Sequence, residues 1–359
     1  MTNQNDTINK TLLWDLEGKD ITAALDADAV EQAMKDAGWD FHVKMGQVKC
    51  VVDRNEVHPG TYLDTDVEAP NQFLLFRDDN NMILSNRTTV TESYYVYQNS
   101  EFMTAMREVA ARTGMKITKA GVTNGGRRCW MVAEFPGFGR VDINTGKYRG
   151  DYLNPVLYVS LTHDGQSTIR FQLIARRKCC SNVFTGIMSK IVRQMDNEIN
   201  EEEGYNKKIR HTKSVVLKVD EAVESVEKML ARYNTIMDKF RRMANVAIKG
   251  EQLNQTVRKI LGVDLKKPFN ELHTKTKNRI EDFMRMFNRP GLGTYGETLW
   301  DLMNAVTATN THTRKVKKGN SRLDNLIYGT GANFEKKAFA MLDQMVLEAE
   351  KKAQEAQNN

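Results

Sequence analysis

No run of apolar residues in this chain approaches the ~20 needed to cross a bilayer. The first twenty residues are polar and acidic, without the basic n-region and apolar h-region of a secretory signal. A cytoplasmic protein is therefore expected. Cysteine is scarce. Cys50, Cys129, Cys179 and Cys180 form no CxxC pair and no even framework, so neither a disulfide scaffold nor a zinc site is expected. The vicinal pair Cys179-Cys180 reads as buried small hydrophobes rather than metal ligands or a redox switch. Catalytic signatures are missing too: there is no GxxxxGK followed by Ser or Thr, no GxSxG, no HExxH and no EF-hand pattern, which removes phosphate-loop and zinc-hydrolase chemistry. Gly291-Leu292-Gly293-Thr294-Tyr295-Gly296 has dinucleotide-motif spacing, but it falls between two predicted helices rather than inside a βαβ unit, and reads as a loop. Internal repeats and low-complexity linkers are also absent. No cofactor and no metal are expected.

What is present is an ordinary globular composition, 40% apolar over 359 residues, with a prior of about two domains. Charge is divided unevenly. Residues 1–90 hold 16 acidic and 8 basic residues, a net of −8; the whole chain is +6, so residues 91–359 carry +14. Such an excess favours a polyanionic partner, with the acidic front as a shield or solubility device.

Residues 1–37 read as an acidic arm with a short helix near Asp28–Met34, closed by Gly38. Residues 38–178 read as an α+β core. β-type runs at Asp40–Met45, Val48–Asp53, Gln72–Phe76, Met82–Leu84 and Tyr94–Tyr97 lead to a helix over Ser100–Thr113. Ser100 is its expected N-cap, Phe102, Met106, Val109 and Ala110 its buried side, and Gly114 its end. Thr123-Asn124-Gly125-Gly126 predicts a hairpin between Met115–Val122 and Arg127–Phe135. A second hairpin joins Val156–Thr162 to Thr168–Ala175 through Asp164-Gly165. One of its faces (Leu157, Val159, Leu161, Ile169, Phe171, Leu173) is expected to pack on the Ser100 helix; the other (Tyr158, Arg170, Gln172) is expected to face solvent or a ligand.

Residues 179–350 read as helical, with 351–359 as a frayed tail. Ile187, Ile191 and Met195 mark one helix. The longest regular pattern runs from Val219 to Ala247 in steps of three and four, predicting a helix near 216–249 that Gly250 ends. About thirty residues would span roughly 45 to 50 Å. Its stripe is read as packing within the chain ahead of contact between copies. Helices over Gln252–Leu261, Glu271–Phe287, Thr298–Thr307 and Phe334–Ala353 follow. The fold class expected is α+β, an antiparallel hairpin-rich sheet packed by a helix, followed by an all-helical half.

Several motifs occur in a fixed order: Tyr94-Tyr95-Val96-Tyr97-Gln98-Asn99, Ala120-Gly121 with Gly125-Gly126-Arg127, Cys180-Ser181-Asn182, Arg210-His211-Thr212, Trp300-Asp301-Leu302-Met303-Asn304-Ala305-Val306-Thr307 with His312, and Leu326-Ile327-Tyr328-Gly329-Thr330-Gly331-Ala332. Together, over roughly residues 70–345, they resemble a phage/plasmid-related family long catalogued as a domain of unknown function. Ser181 stands where that family has threonine, and Ala308-Thr309-Asn310 is less aromatic than its usual run. The α+β front is also similar, at the level of fold, to phage single-strand annealing recombinases. The resemblance implies a phage, plasmid or integrating element and the cytoplasm of a host cell. It supplies no catalytic residues, only motif positions: Asn182, His211, Asn304, His312, Gly329 and Gly331.

The leading expectation is a DNA-binding protein that coats single strands and promotes annealing or recombination without nucleotide hydrolysis. Lys119, Arg127, Arg128, Arg170, Arg176, Arg177 and Arg210 would neutralise phosphates, and Trp130 and Tyr158 would stack on bases. Copies repeated along a strand would suit that role. A metal-dependent nuclease or DNA-modifying enzyme centred on His211, Asn182 and His312, and a non-enzymatic protein engaging a host factor, are the alternatives, with catalysis placed behind binding.

Overall fold

The computed structural model describes residues 14, 17–23, 29–51, 66–85, 88–138, 141–143, 146–166, 169–177, 183–184, 206–209, 219–315 and 321–358. It is α+β, with antiparallel sheet in the N-terminal half and helices from residue 219 onward. In chain order these are β1 (Lys19–Asp20), α1 (Val30–Asp36), β2 (Val43–Val51), β3 (Asp66–Arg77), α2 (Asn99–Thr113), β4 (Lys116–Thr123), β5 (Arg128–Glu134), β6 (Val141–Asp142), β7 (Tyr152–Thr162), β8 (Ile169–Arg177), β9 (Val183–Phe184) and β10 (Asn206–Ile209). The helical half holds α3 (Val219–Ala244), α4 (Gly250–Ile260), α5 (Thr274–Phe287), the small ribbon β11 (Asn288–Arg289) and β12 (Thr294–Tyr295), α6 (Leu299–Ala308), a π-turn at Thr309–Thr313, α7 (Arg322–Tyr328) and α8 (Thr330–Gln357).

The main sheet runs β1-β4-β5-β7-β8-β10, with β6 on β7 and β9 on β8, every described pair antiparallel. Both expected hairpins form. β4 and β5 join through Asn124–Gly126, where Gly125 takes a φ of 71° that glycine reaches without strain. β7 and β8 pair Val159 with Phe171 and Ser160 with Arg170. Alternation puts Leu157, Val159, Leu161, Phe171 and Leu173 on one face, where they share a core with Phe102, Met103, Met106 and Val109 of α2.

That core continues into the helical half. Val223, Val226, Tyr233, Met237, Phe240 and Ala244 of α3 are buried within the chain, against α2, α6 and α8. At ~1.5 Å per residue the 26 residues of α3 span about 39 Å. The helix stops at Ala244, before Gly250, because Val246–Ile248 turns outward to pair with the strand-like start of α6: Leu299 N donates to Val246 O at 3.0 Å and Ile248 N to Glu297 O at 2.9 Å. Gly250, at φ 58°, instead begins α4.

Other differences are local. Val43–Met45 and Val48–Val51 lie in one longer strand, β2, paired to β3 with a bulge near Gln47, and Val52 and Asp53 lie outside the described residues. Tyr94–Tyr97 is a loop on the core rather than a strand. The α2 N-cap is Gln98 rather than Ser100: Glu101 accepts from Gln98 N at 2.7 Å, while the Gln98 side chain pairs with Val43 N and O. α7 is a helix that periodicity did not reveal. The expected helix around Ile187–Met195 lies outside the described residues, as do Cys179 and Cys180. Among the described residues no helix is long and apolar enough to cross a membrane.

Candidate nucleic-acid interface

The second face of the hairpin sheet was expected to be open. It is covered. Trp130 and Tyr158, neighbours across β5 and β7, stack at 5.9 Å and are both 0% exposed. Over them lie Trp14 and α7, whose Leu323, Leu326 and Ile327 close a second core with Val132, Val156 and Ile174. Gln172 is buried as well. Trp130 sits against two backbones that have no side chain to spare: a Cβ on Gly18 would meet its ring at 2.4 Å and one on Gly121 at 2.8 Å. These rings offer no face to a base in this arrangement. The physical reason is that apolar β5 and β7 positions on both faces of one sheet demand two covers, and a seven-residue helix with a tryptophan supplies the second.

Arg128 and Arg170 are engaged in the same cover, and the other hairpin cations have partners of their own. Arg128 forms an ion pair with Asp324, which also accepts from Thr123 Oγ1 at 3.0 Å and Asn124 Nδ2 at 2.7 Å. The Arg128 guanidinium lies 4.3 Å over the Tyr328 ring and that of Arg170 4.8 Å over the same ring. Burial works against the Arg128 charge, and the Asp324 carboxylate with the Tyr328 and Tyr158 phenols more than offsets it, holding its pKa above the ordinary value. Arg127 donates to Leu84 O at 3.0 Å and Ile83 O at 3.3 Å, Arg176 pairs with Glu134 at 2.9 Å, and Lys119 lies 3.5 Å from Asp20. Arg177 is 0% exposed and grips Asp151. Of the hairpin residues chosen from sequence, Arg128, Trp130, Tyr158 and Arg170 come together beneath α7, and the set serves largely as packing and struts. Arg210 lies outside the described residues.

The motif residues divide in the same way. Asn304 is buried in α6, its Nδ2 donating to Trp300 O at 2.9 Å. Gly329 and Gly331 form the joint between α7 and α8, where a Cβ on Gly331 would meet Asn310 Oδ1 at 2.7 Å and Asn325 O at 2.9 Å. His312 lies half-buried in the π-turn; burial, then Arg322 and Arg289, lower its pKa to about 4. Asn182 and His211 lie outside the described residues, so no distance between His211 and His312 follows. Among the described residues no group of three His, Cys, Asp or Glu side chains is placed to hold a metal ion.

Free cationic surface gathers elsewhere, at the tip joining α4 to α5. Residues 258–279 hold seven basic and two acidic side chains. Arg258, buried, donates to the carbonyls of Asp264 and Lys267 and so pins the loop from within. Lys259, Lys266, Lys267 and Lys275 are exposed around Leu265 and Phe269, which are 41% and 43% exposed. Lys277 donates to Asn270 O at 2.7 Å and stands 5.9 Å over the Phe269 ring. The carboxylates here are Asp264, whose Oδ1 accepts from Lys266 N, and Glu271. Sequence reasoning passed over this tip; the density of lysines around Pro268-Phe269 was the available signal.

The described residues thus define an α+β protein with two cores on one hairpin sheet and a cationic, aromatic-bearing tip on its helical half. The chain belongs to the family described as Domain of unknown function (DUF932), whose family model matches residues 87–327. No curated protein and no solved structure gives a significant match.

Proposed function

We propose that this is a nucleic-acid-binding protein of a phage or other mobile element, one that binds single-stranded DNA and promotes annealing or recombination without hydrolysing nucleotides. The observation that carries this reading is the α4–α5 tip. It combines exposed lysines with an exposed phenylalanine, the pairing of phosphate-neutralising charge and a stacking face that suits an unpaired strand without demanding a sequence. The +14 net charge after residue 90 supports the same partner class. The mobile-element setting rests on the ordered motifs and their resemblance. Here the strand contacts shift from the hairpins to the helical half, because Trp130, Tyr158 and Arg177 are buried.

Fluorescence anisotropy with labelled single-stranded and duplex oligonucleotides across a salt series tests this, with a complementary strand added last. The expected result is tighter binding of the single strand, a log K slope of about −0.7 per phosphate neutralised, and faster pairing. No binding at ~50 mM salt overturns the reading.

A further inference from the structure

α7 meets the hairpin sheet through two polar side chains one helical turn apart, Asp324 and Tyr328, which share a side of the helix. The Asp324 carboxylate takes three donors from the end of the β4–β5 hairpin: the Arg128 guanidinium, Thr123 Oγ1 and Asn124 Nδ2. The Tyr328 ring lies under the Arg128 and Arg170 guanidinium groups and 6.1 Å edge-on from Tyr158, and its hydroxyl meets Ser160 Oγ at 2.8 Å. A guanidinium, a hydroxyl and an amide on one anion are donors that proteins aim at a phosphate. Guanidinium planes and an aromatic partner around one ring are the setting of an unpaired base.

The contact is also imperfect as a core. Trp130 Nε1, Tyr158 OH and the Nε atoms of Arg128 and Arg170 are buried there without a hydrogen-bond partner. Each such group costs stability and offsets part of what Leu323, Leu326 and Ile327 contribute by leaving water. α7 has seven residues, too few to hold a helix alone. Its start is held from the far end of the chain, where Glu17 accepts from Ser321 Oγ at 2.5 Å, Arg322 N at 3.0 Å and Leu323 N at 3.2 Å. Its end is Gly329, whose extended backbone separates it from α8.

We infer that this face of the hairpin sheet is a second site for single-stranded nucleic acid, occupied here by α7, with Asp324 standing in for a phosphate and Tyr328 for a base. With α7 seated, the strand has only the α4–α5 tip. With α7 displaced, Arg128, Thr123 and Asn124 take a phosphate, and Arg170, Trp130 and Tyr158 take bases. Naming the occupant a nucleic-acid strand rests on the function proposed above.

Two variants of the full chain loosen α7 from different directions: Glu17→Ala removes the hold on its start, and Asp324→Asn with Tyr328→Ala removes the stand-ins. Hydrogen exchange is expected to show faster exchange in α7 while β5 and β7 stay protected. Anisotropy at equal salt should then show each variant binding a labelled single strand about tenfold tighter than the parent, or 1.4 kcal/mol, and Arg170→Gln added to either should remove the gain. Unchanged exchange in α7, protection lost from β5 and β7 along with it, or looser α7 without tighter binding overturns this site. A gain that survives Arg170→Gln overturns it as well. Parent binding that no variant improves keeps the tip and removes the sheet site. Binding by the loosened variants without binding by the parent does the reverse, and no binding by any of them removes both.

Discussion

Arg177 and Asp151 meet as a buried fork where β8 ends and β7 begins. Arg177 Nη2 reaches Asp151 Oδ2 at 2.5 Å and its Nε lies 2.9 Å from both carboxylate oxygens. The same guanidinium donates to Leu292 O and Gly293 O, and Trp300 Nε1 donates to Asp151 Oδ2 at 3.2 Å. One cation thereby ties β8 to the glycine loop before α6, joining the sheet to the helical half. Removing it strands a buried carboxylate. Arg177→Met is expected to lose about 3–5 kcal/mol in urea unfolding, whereas Arg177→Met with Asp151→Leu recovers much of it. Equal losses in the two variants would argue against the fork.

Trp130 and Tyr158 give a second prediction, because a ring that packs and a ring that stacks on bases respond differently. Trp130→Ala should cost about 3–5 kcal/mol through the cavity it leaves beneath α7. Its oligonucleotide affinity per folded molecule should stay within about twofold of the parent, a difference below 0.5 kcal/mol. A selective loss of affinity with stability intact would place the strand on the sheet face instead.

At the α4–α5 tip the expected behaviour is reversed. Lys266→Ala with Lys267→Ala should leave unfolding unchanged within about 0.5 kcal/mol, since both side chains are exposed. The salt slope for single-stranded DNA should become shallower by about 0.7 for each phosphate that is no longer neutralised. Phe269→Ala should weaken binding by about 1–3 kcal/mol with the slope unaltered, the signature of a stacking ring.

His312 predicts a pH dependence. Burial, with Arg322 and Arg289, holds its imidazole at about 4, against 6.5 ordinarily. As pH falls the unfolded chain takes up this proton first, so the group's contribution is intact above about pH 6.5 and declines until pH 4. The loss amounts to about 3 kcal/mol at 1.36 kcal/mol per pKa unit. His312→Asn should flatten the urea stability profile across that window.

Gly331 accepts no side chain where α8 begins. Gly331→Ala would press a methyl group against Asn310 Oδ1 and the Asn325 carbonyl, and a loss of about 1–3 kcal/mol is expected in chemical denaturation. A neutral result would show that the joint between α7 and α8 yields.

Much of this architecture is legible in the linear chain. The two hairpins follow from Asn-Gly and Asp-Gly turns between alternating strands, α2 ends at Gly114 because glycine alone takes φ 68° easily, and the apolar steps of α3 mark its buried side. These are local determinants, set by residues within one or two turns of one another. The site was less legible. Tyr158 and Arg170 alternate with core residues, a pattern shared by an exposed polar face and by a second, covered one. Only packing against Leu323, Leu326 and Ile327, more than 150 positions away, distinguishes them.

By itself the sequence determined the α+β class, the hairpin turns, the buried stripes of α2 and α3 and the cationic bias beyond residue 90, since backbone propensity, side-chain period and charge act at short range or in sum. Tertiary structure alone decided that Arg177 is a strut, that α7 closes the sheet face over Trp130, and that Arg322 reaches back to the carbonyls of Thr311 and His312. Whether a charged or aromatic side chain meets solvent, a partner or the core depends on segments that only the completed fold brings beside it.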